Sequence, residues 1–450
     1  MNYFDITEAI ISVLYTLMGI LTAHFVVFAV IGIFAKRKFP KTEEKLRYGI
    51  LIPTRNEEHV VGKLIESIKK SDYPQDKLEI FVIAHNCTDR TADAARAAGA
   101  VVYEYNNSAE RRKGYAMRYL VDRVLEDRGA DCFDGYFVFD ADNILDGQFI
   151  SKMNDAFIAN GRKHIITSYR NSKNFGANVM SAMYGLYFAY TSRFEARGRA
   201  VVGSSTRVAG TGFLVNSEVL KDGWKYFSLS EDTELTADRL AEDVKVIYCD
   251  EAVFYDEQPT TIGVMWNQRL RWAKGHLSVF QSRGVKLLRS IFKSKKKGGG
   301  SYKWSMYDLL VGLMPLCVVA ALIAILQNLF FLMAPLFTNV GLADIYPTFL
   351  LNSLKTTLGT YLTLIFSSTL LYILERKRFP KVRFSIKLAS VLLWPIFLLI
   401  AAPLQIIAVF KREVTWVPIP HTHATAIENV NESEKKTAPA YMKRETKKVS

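Results

Sequence analysis

The stretch FVFDADN, Phe137 to Asn143, ends an apolar run on two carboxylates one residue apart. In an extended strand residues i and i+2 share a face, so Asp140 and Asp142 are expected to converge on one point beyond the strand end. Two like charges that close need a cation, and oxygen donors at an open strand end suit a divalent metal. A solvated turn is the competing reading, because Asp and Asn favour turns for local hydrogen-bonding reasons. Residues elsewhere in the chain decide between the two.

Between Arg47 and Gln258 short apolar strands alternate with helical patterns. YGILIPT is followed by a helix carrying Val60, Val61, Leu64, Ile65 and Ile68, and EIFVIAHN by a helix through Ala98. VVYEY precedes a helix from about Gly114 to Asp127, after which comes the strand of FVFDADN. This alternation predicts an α/β domain with a mostly parallel sheet covered on both faces. Ligands of such sheets bind beyond the carboxyl ends of the strands, and there the polar residues gather. Pro53, Thr54, Asn56 and Glu57 follow the first strand, His85, Asn86 and Asp89 the second, and Asp140 and Asp142 a later one. Neither GxGxxG nor a Walker loop occurs, and Lys113-Gly114 lacks the preceding glycines of a phosphate loop. A nucleotide must be held otherwise. A sugar nucleotide fits, since a carboxylate-bound metal and basic side chains can neutralise its pyrophosphate.

Farther along, AGTGFLV (Ala209 to Val215) offers two glycines that let backbone approach a ligand, or else an ordinary turn. LSEDTEL (Leu229 to Leu235) reads as a helix start with Ser230 as cap and Glu231, Asp232 and Glu234 in the first turn. Carboxylates there can still face a cleft. In NQRLRWAKGH (Asn267 to His276), Gln268, Arg271 and Trp272 fall at i, i+3 and i+4, so one helical face carries an amide, a guanidinium and an indole. That face suits an anionic diphosphate beside a sugar ring, and an interfacial helix is the competing reading.

The 450 residues suggest roughly three structural units. From Ile10 to Ala35 there is no Asp, Glu, Lys or Arg, and Lys36, Arg37 and Lys38 follow at once. This predicts an uncleaved anchor with its basic end in the cytoplasm. Three further runs, about Leu309 to Phe337, Phe349 to Leu374 and Ile386 to Phe410, are of spanning length. Lys355 inside the second is expected to snorkel or face the protein interior, and ERKRFPKVR (Glu375 to Arg383) reads as a cytoplasmic loop. An anchor plus three spans places the chain end outside, whereas Lys411, Arg412 and the basic tail favour the inside. Either the charge rule yields or one run does not cross.

The formal charge is +14, with much of the excess beside apolar runs, at Lys293 to Lys297 and in the tail. Attraction to an anionic membrane surface explains this more simply than nucleic acid, which is not expected as a partner. Cys87, Cys132, Cys249 and Cys317 show no close pairing, and reduced thiols without a zinc site are expected. The resulting units are an anchor over 1–36, the α/β domain over 45–258, an interfacial segment with a flexible KKKGGGS linker over 259–303, a helical bundle of about three spans over 304–411 and a basic tail over 412–450. The tail is polar and charged from Glu428 onward and expected to be disordered. The histidines of HTH, His421 to His423, are read as solvated rather than as a metal pair.

Assembled in order, PTRNE, the NCTD region, DAD, GTG, SED and QRLRW resemble the membrane-embedded, processive members of glycosyltransferase family 2, the cellulose, hyaluronan, chitin and poly-N-acetylglucosamine synthases. The match runs from about residue 47 to 275 and includes the membrane layout. It implies a cytoplasmic GT-A domain, Rossmann-like, joined to an α-helical transmembrane bundle in the plasma membrane, with Mg2+ or Mn2+ as cofactor. Carried over by position, Thr54, Glu57 and Asp89 lie near uridine, Lys113 near the nucleotide, and Asp140 and Asp142 at the metal and diphosphate. Asp232 is the catalytic base. Gly210, Thr211, Gly212 and Glu231 line the acceptor, Gln268 and Arg271 the diphosphate end, and Trp272 stacks on the terminal sugar. Relatives often carry an acid directly after the second strand, where this chain has His85-Asn86. Asn86 is expected to meet the uracil instead.

The resemblance implies inverting, processive synthesis of a β-linked polysaccharide from a UDP-sugar and its export across the bilayer, with an accessory export subunit as a possible partner. DADN and SEDTEL favour glucose over N-acetylglucosamine. Transfer of one sugar to a membrane lipid is the nearest alternative, and a noncatalytic transporter or synthase subunit the next. TWVPIPHT (Thr415 to Thr422) has family parallels near the cytoplasmic surface, which places the tail inside.

Overall fold

The computed structural model describes residues 2–293, 299–415 and 421. Helix α1 (Tyr3–Phe34) precedes an eight-stranded sheet built from β1 (Tyr48–Thr54), β2 (Leu78–His85), β3 (Val101–Tyr105), β4 (Gly135–Val138), β5 (Ile144–Leu145), β6 (Ile165–Ser172), β7 (Phe213–Asn216) and β8 (Val246–Asp256). The strand order is β3-β2-β1-β4-β7-β6-β8-β5. β3, β2, β1 and β4 are parallel, as are β6 and β8, while β7 runs antiparallel to both β4 and β6. The expected mostly parallel α/β domain is present.

Successive residues of β1 point to opposite faces, and both faces are dry. Ile50 and Ile52 pack with Leu64, Phe137 and Phe149 on one side, and Leu51 with Phe81, Met117 and Val138 on the other. This double burial is why the parallel strands read as unbroken apolar runs. α2 (Val61–Lys69), α3 (Thr91–Ala97), α4 (Lys113–Arg128) and α5 (Phe149–Ala159) supply the covering helices.

β4 stops at Val138, so Asp140 and Asp142 do not share a strand face as expected. They lie in a turn closed by the Asn143 amide donating to the Asp140 carbonyl at 3.1 Å. The Asp and Asn side chains that favour a turn prevailed locally over strand alternation, and the two carboxylates differ sharply: the Asp140 side chain is 39% exposed whereas Asp142 is buried at 5%.

After β6 the chain forms α6 (Val179–Tyr190), a π-helical turn (Thr191–Ala196) and α7 (Arg197–Val201). α1 crosses this segment closely. A Cβ on Gly32 would strike the Arg193 carbonyl and one on Gly198 the Phe28 carbonyl, so glycine on both helices permits the contact. α8 (Glu231–Leu240) and α9 (Ile262–Lys293) follow, then α10 (Gly299–Leu313). The expected flexible linker is therefore partly helical, since Gly299 to Ser301 open α10 and Ser301 Oγ donates to the Gly203 carbonyl at 2.9 Å. The rest of the linker lies outside the described residues. Buried Asp308 of α10 takes Arg199 of α7 at 2.7 Å and His24 of α1 at 3.1 Å, fastening the anchor to the domain.

α11 (Leu316–Phe337), α12 (Leu342–Leu374), α13 (Phe384–Leu399) and α14 (Ala401–Phe410) follow among the described residues. Among the described residues four helical stretches, α1, α11, α12 and the run Phe384–Phe410, are long and apolar enough to cross a membrane. Lys355 is exposed on α12 rather than turned inward. The last run meets the α/β domain at one end and α9 at the other. Just before it, Asn171 donates to the Arg378 carbonyl at 2.8 Å, and at its end Lys274 donates to the carbonyls of Ala408 and Lys411 at 3.0 and 2.6 Å. The run breaks at Ile400 between α13 and α14, and its end at Lys411 lies against Lys274 of α9.

Candidate active site

The ends of β1 and β2 build one wall of the cleft. Thr54, 3% exposed, donates its hydroxyl to the Ile83 carbonyl at 2.8 Å and so ties the two strands together. Asn86 adopts φ 53°, which Asn tolerates better than most residues. Its Nδ2 lies 2.9 and 3.2 Å from the carbonyls of Asn107 and Glu110, and its Oδ1 accepts from the Asn107 amide at 2.7 Å. Asn86 thus braces the loop after β3. Asp89 accepts from the Thr91 amide at 3.0 Å and the Glu58 amide at 3.1 Å. Burial opposes its charge, but these hydrogen bonds hold its pKa below the usual carboxylate range. Glu57 behaves oppositely: burial raises its pKa, and Asp142 and Asp140 add to the rise while His421 counters it.

The opposite wall centres on Lys113 at the start of α4. Its Nζ donates to Asp140 Oδ1 at 2.5 Å and to the Gly210 carbonyl at 2.9 Å, and lies 3.8 Å from Glu231. Burial would strip that charge, yet Asp140 and Glu231 raise the pKa above its ordinary value. The GTG turn is locked to the DAD turn by Thr211, whose Oγ1 accepts from the Asp140 amide at 2.7 Å and donates to Asn143 Oδ1 at 2.5 Å. Gly210 and Gly212 have φ of 87° and 65°, and a Cβ on Gly212 would run into the Phe254 ring. Next to Gly210 lies Asp232, whose Oδ2 would be 3.9 Å from a Cβ placed there.

Glu231 and Asp232 open α8 as expected, but Ser230 makes no side-chain cap; it packs against Gly275 of α9 instead. Burial raises the pKa of both acids, against the lowering pull of Lys113 and Arg271. α9 presents the expected face. Arg271 donates to the Leu229 carbonyl at 3.1 Å, and Gln268 Oε1 is buried with no partner among the described residues. Trp272 lies in an aromatic group from α6, stacked on Tyr187 at 6.2 Å and edge-on to Tyr184 and Phe188 at 6.3 Å. Arg269, one residue from this face, turns away over the Phe397 ring of α13 at 4.4 Å.

Among the described residues no three His, Cys, Asp or Glu side chains form a group able to hold a metal ion. Asp140 and Asp142 nonetheless fit a hard divalent cation, because they are an all-oxygen pair and Mg2+ characteristically takes one or two carboxylates plus substrate phosphates. Asp142 is fixed in place: its Oδ2 accepts from the Glu257 amide at 2.7 Å, and its carbonyl from Lys173 at 2.9 Å.

The sequence reading missed Lys173, Arg170, Asp256 and Glu257. Lys173 pairs with Glu257 at 3.4 Å, Arg170 Nε donates to Asp256 Oδ2 at 2.7 Å, and burial raises the Asp256 pKa to about 6. The DEQ run closing β8, at a strand end like the others, was the available signal. It also missed His421, which is not solvated: its side chain is 19% exposed and its Nδ1 lies 2.9 Å from Glu57 Oε1. Thr422, His423 and the tail beyond lie outside the described residues.

The model of the "Glycosyltransferase like family 2" matches residues 46–275, just over half of the chain, and the chain belongs to that family. It is 25% identical over 274 residues to the probable glycosyltransferase YdaM of Bacillus subtilis (58% of this chain, 63% of that one). It is 26% identical over 231 residues to a β-monoglucosyldiacylglycerol synthase of Synechocystis (50% and 47%), and 23% over 283 residues to a poly-β-1,6-N-acetyl-D-glucosamine synthase of Staphylococcus epidermidis (60% and 62%). The matched part thus spans between about half and two thirds of these relatives. Among solved structures, the mannosyltransferase PcManGT of Pyrobaculum calidifontis, in complex with GDP-Man and Mn2+, has the same fold: TM-score 0.55, 14% identity, covering 90% of this chain and 100% of that one.

Proposed function

We propose that this chain is an inverting hexosyltransferase that moves a sugar from a nucleoside diphosphate donor to a membrane-associated acceptor hydroxyl, and that repeated transfer builds a β-linked polysaccharide for export. The donor is a UDP-sugar, with glucose favoured, and the catalytic domain faces the cytoplasm. The observation that carries this reading is Asp232, buried at the start of α8 between the GTG turn and the Arg271 face of α9.

Asp232 takes the acceptor hydroxyl proton. The acceptor oxygen then forms a bond to C1 as the bond from C1 to the diphosphate oxygen breaks, and displacement from the opposite face turns an α-linked donor into a β-linked product. A buried carboxylate is a stronger base than an exposed one, which brings its pKa closer to working pH. Lys113 and Arg271 set positive charge beside the departing diphosphate. Asp140 and Asp142 would hold the divalent ion, which when bound spreads the leaving-group charge. The indole of Trp272 offers a flat apolar face to a pyranose, and its aromatic neighbours on α6 extend that surface toward α13. This extended surface supports a polymeric acceptor. Single transfer to a lipid is the second reading, favoured by the break at Ile400, which leaves fewer unbroken helices to enclose a channel.

The test uses purified protein in lipid nanodiscs with Mg2+ or Mn2+ and labelled UDP-glucose, UDP-N-acetylglucosamine and GDP-mannose supplied separately. High-mass, glycosidase-sensitive product from one donor, lost in Asp232→Asn, is the expected result. One sugar on lipid selects the second reading. Transfer that survives in Asp232→Asn, or none from any donor, overturns the proposal.

A further inference from the structure

Two charges stand exposed on helices long and apolar enough to cross a membrane, Glu8 on α1 and Lys355 on α12, and neither has an ion-pair partner among the described residues. The other acids of these helices are engaged locally: Asp5 accepts from the Asn2 amide at 3.0 Å and Asp344 from the Gly341 amide at 3.2 Å. Glu8 and Lys355 also lie at one depth. The Tyr3 hydroxyl donates to the Phe330 carbonyl at 2.6 Å, and the Phe331 and Phe349 rings are 4.8 Å apart, so Tyr3 and Phe349 are level on either side of α11. α1 and α12 both run antiparallel to α11, since the Tyr307 hydroxyl just before α11 donates to Leu21 of α1 at 3.0 Å and a short turn joins α11 to α12. Five residues on from Tyr3 and six on from Phe349, at ~1.5 Å each, Glu8 and Lys355 fall within about one helical turn of each other in depth, near the level of Ile325 midway along α11.

A charge at that depth is unfavourable against lipid, and long side chains snorkel to the interface only from near a helix end. α11 touches both α1 and α12. Its open face carries Leu322, Ile325, Leu329, Leu332 and Leu336 at alternating steps of three and four, the pattern of a helix seam. Lipid suits those residues equally well, but it does not suit Asn328 of α11 and Asn352 of α12, which are exposed three residues from the Phe331–Phe349 contact. Amides inside a bilayer characteristically bond helix to helix. We propose that this face binds a second copy of the chain, α11 against α11 about a two-fold axis along the bilayer normal, with Glu8 of each copy paired to Lys355 of the other. Because α1 and α12 flank α11, such a rotation sets α1 of one copy beside α12 of its partner, and both charge pairs form at once. The α/β domains of the two copies then lie on the same side of the membrane.

Full-length protein carrying donor or acceptor dye is reconstituted in liposomes, and energy transfer is followed as lipid is increased at constant protein. The unaltered chain is expected to associate, and Glu8→Ala or Lys355→Ala to weaken association about tenfold, the scale of one polar contact between membrane helices. In detergent, where copies are dispersed, these variants should unfold like the unaltered protein, so that the loss is of association and not of fold. The charge reversals Glu8→Lys and Lys355→Glu decide the pairing. Each alone sets like charges together at both contacts and should abolish energy transfer. Mixed, they restore opposite charges at both contacts, and transfer between the two variants should return. Association that survives either reversal overturns the inference, as does a mixture that stays apart when each reversal alone has abolished association. Unaltered protein that remains monomeric at the highest protein-to-lipid ratio overturns it too, and is the result expected if lipid or a different membrane protein covers the face.

Discussion

Arg378, in the loop between α12 and α13, donates to Asp250 Oδ2 of β8 at 2.7 Å, so the membrane bundle and the catalytic sheet share a buried charge. Arg197 of α7 takes the same carboxylate at 2.8 Å, and Glu375 beside it takes Arg193 at 2.8 Å. The Arg378 guanidinium also lies 3.9 Å from the centre of the Tyr169 ring on β6. β6 and β8 are paired and lead to Lys173 and Glu257, the residues that hold Asp142. The bundle thus docks on the two strands that back the proposed donor site.

Removing Arg378 leaves Asp250 buried with one cation in place of two. Breaking one side of a buried pair costs about 3–5 kcal/mol, and Arg378→Ala should destabilise the protein toward the upper half of the usual range for single substitutions. Lys355→Ala, on an exposed position of α12, serves as the neutral control. Burial works to raise the Asp250 pKa, but Arg378 and Arg197 hold it below the ordinary value. A depressed carboxylate stabilises above the unfolded pKa of about 3.9 and loses that contribution as pH falls through the folded value. The difference between Arg378→Ala and the unaltered protein in denaturant unfolding should therefore shrink toward acid pH; a difference constant from pH 7 to 3 contradicts this account.

Gly275 allows α9 to approach the residue before the acidic pair. A Cβ there would overlap Ser230 Oγ, and the shift would pass directly to Glu231 and Asp232. Displacement of a base by about 1 Å can cost ~100-fold in rate, so Gly275→Ala should lower kcat steeply with little change in donor KM. Gly263, on the same helix with nothing within 4 Å of its would-be Cβ, is the matched control and should be silent as Ala. Equal kcat in the two variants would show that Ser230 yields without moving Asp232.

In the proposed reaction Asp140 and Asp142 would supply two carboxylates to a divalent ion and leave its other ligand positions to the donor phosphates. Chelation should abolish transfer, and Mg2+ or Mn2+ should restore it. Asp142→Asn should raise the metal concentration for half-maximal activity by at least about tenfold, since even changes one shell out from an ion cost 10–100-fold. Full activity in EDTA, or an unchanged metal requirement in the variant, rules this pair out as the metal site.

Much of this was legible because it is local. The two-faced burial of Ile50, Leu51 and Ile52 follows from an unbroken apolar run, and the Gln268, Arg271 and Trp272 face follows from helical spacing. The turn at Asp140 was misjudged for a local reason too, since β4 ends earlier than its apolar run. What periodicity cannot convey is contact between distant parts of the chain. His421 reaches Glu57 across 364 positions, and Arg378 reaches Asp250 across 128. The charge conflict at Lys411 and Arg412 and the TWVPIPHT stretch hinted that the end of the chain lies near the domain, without naming its partner there.

The pH dependence of transfer gives a test in which two variants move in opposite directions. Burial raises the Asp232 pKa, while Lys113, Arg271 and Arg207 lower it. A base must be deprotonated, so kcat should rise with pH along a limb displaced above the ordinary carboxylate range of about 4. Arg207 pairs with Glu195 at 3.2 Å and is partly exposed. Arg207→Gln removes a charge that favours the carboxylate, so Asp232 holds its proton more tightly and the limb moves to higher pH. Glu195→Gln frees the Arg207 charge from its partner and moves the limb lower. Solvent screening keeps each displacement below about one unit. Limbs that coincide in all three proteins, measured as kcat against pH at saturating donor, would mean that Asp232 is not the group whose ionisation governs transfer.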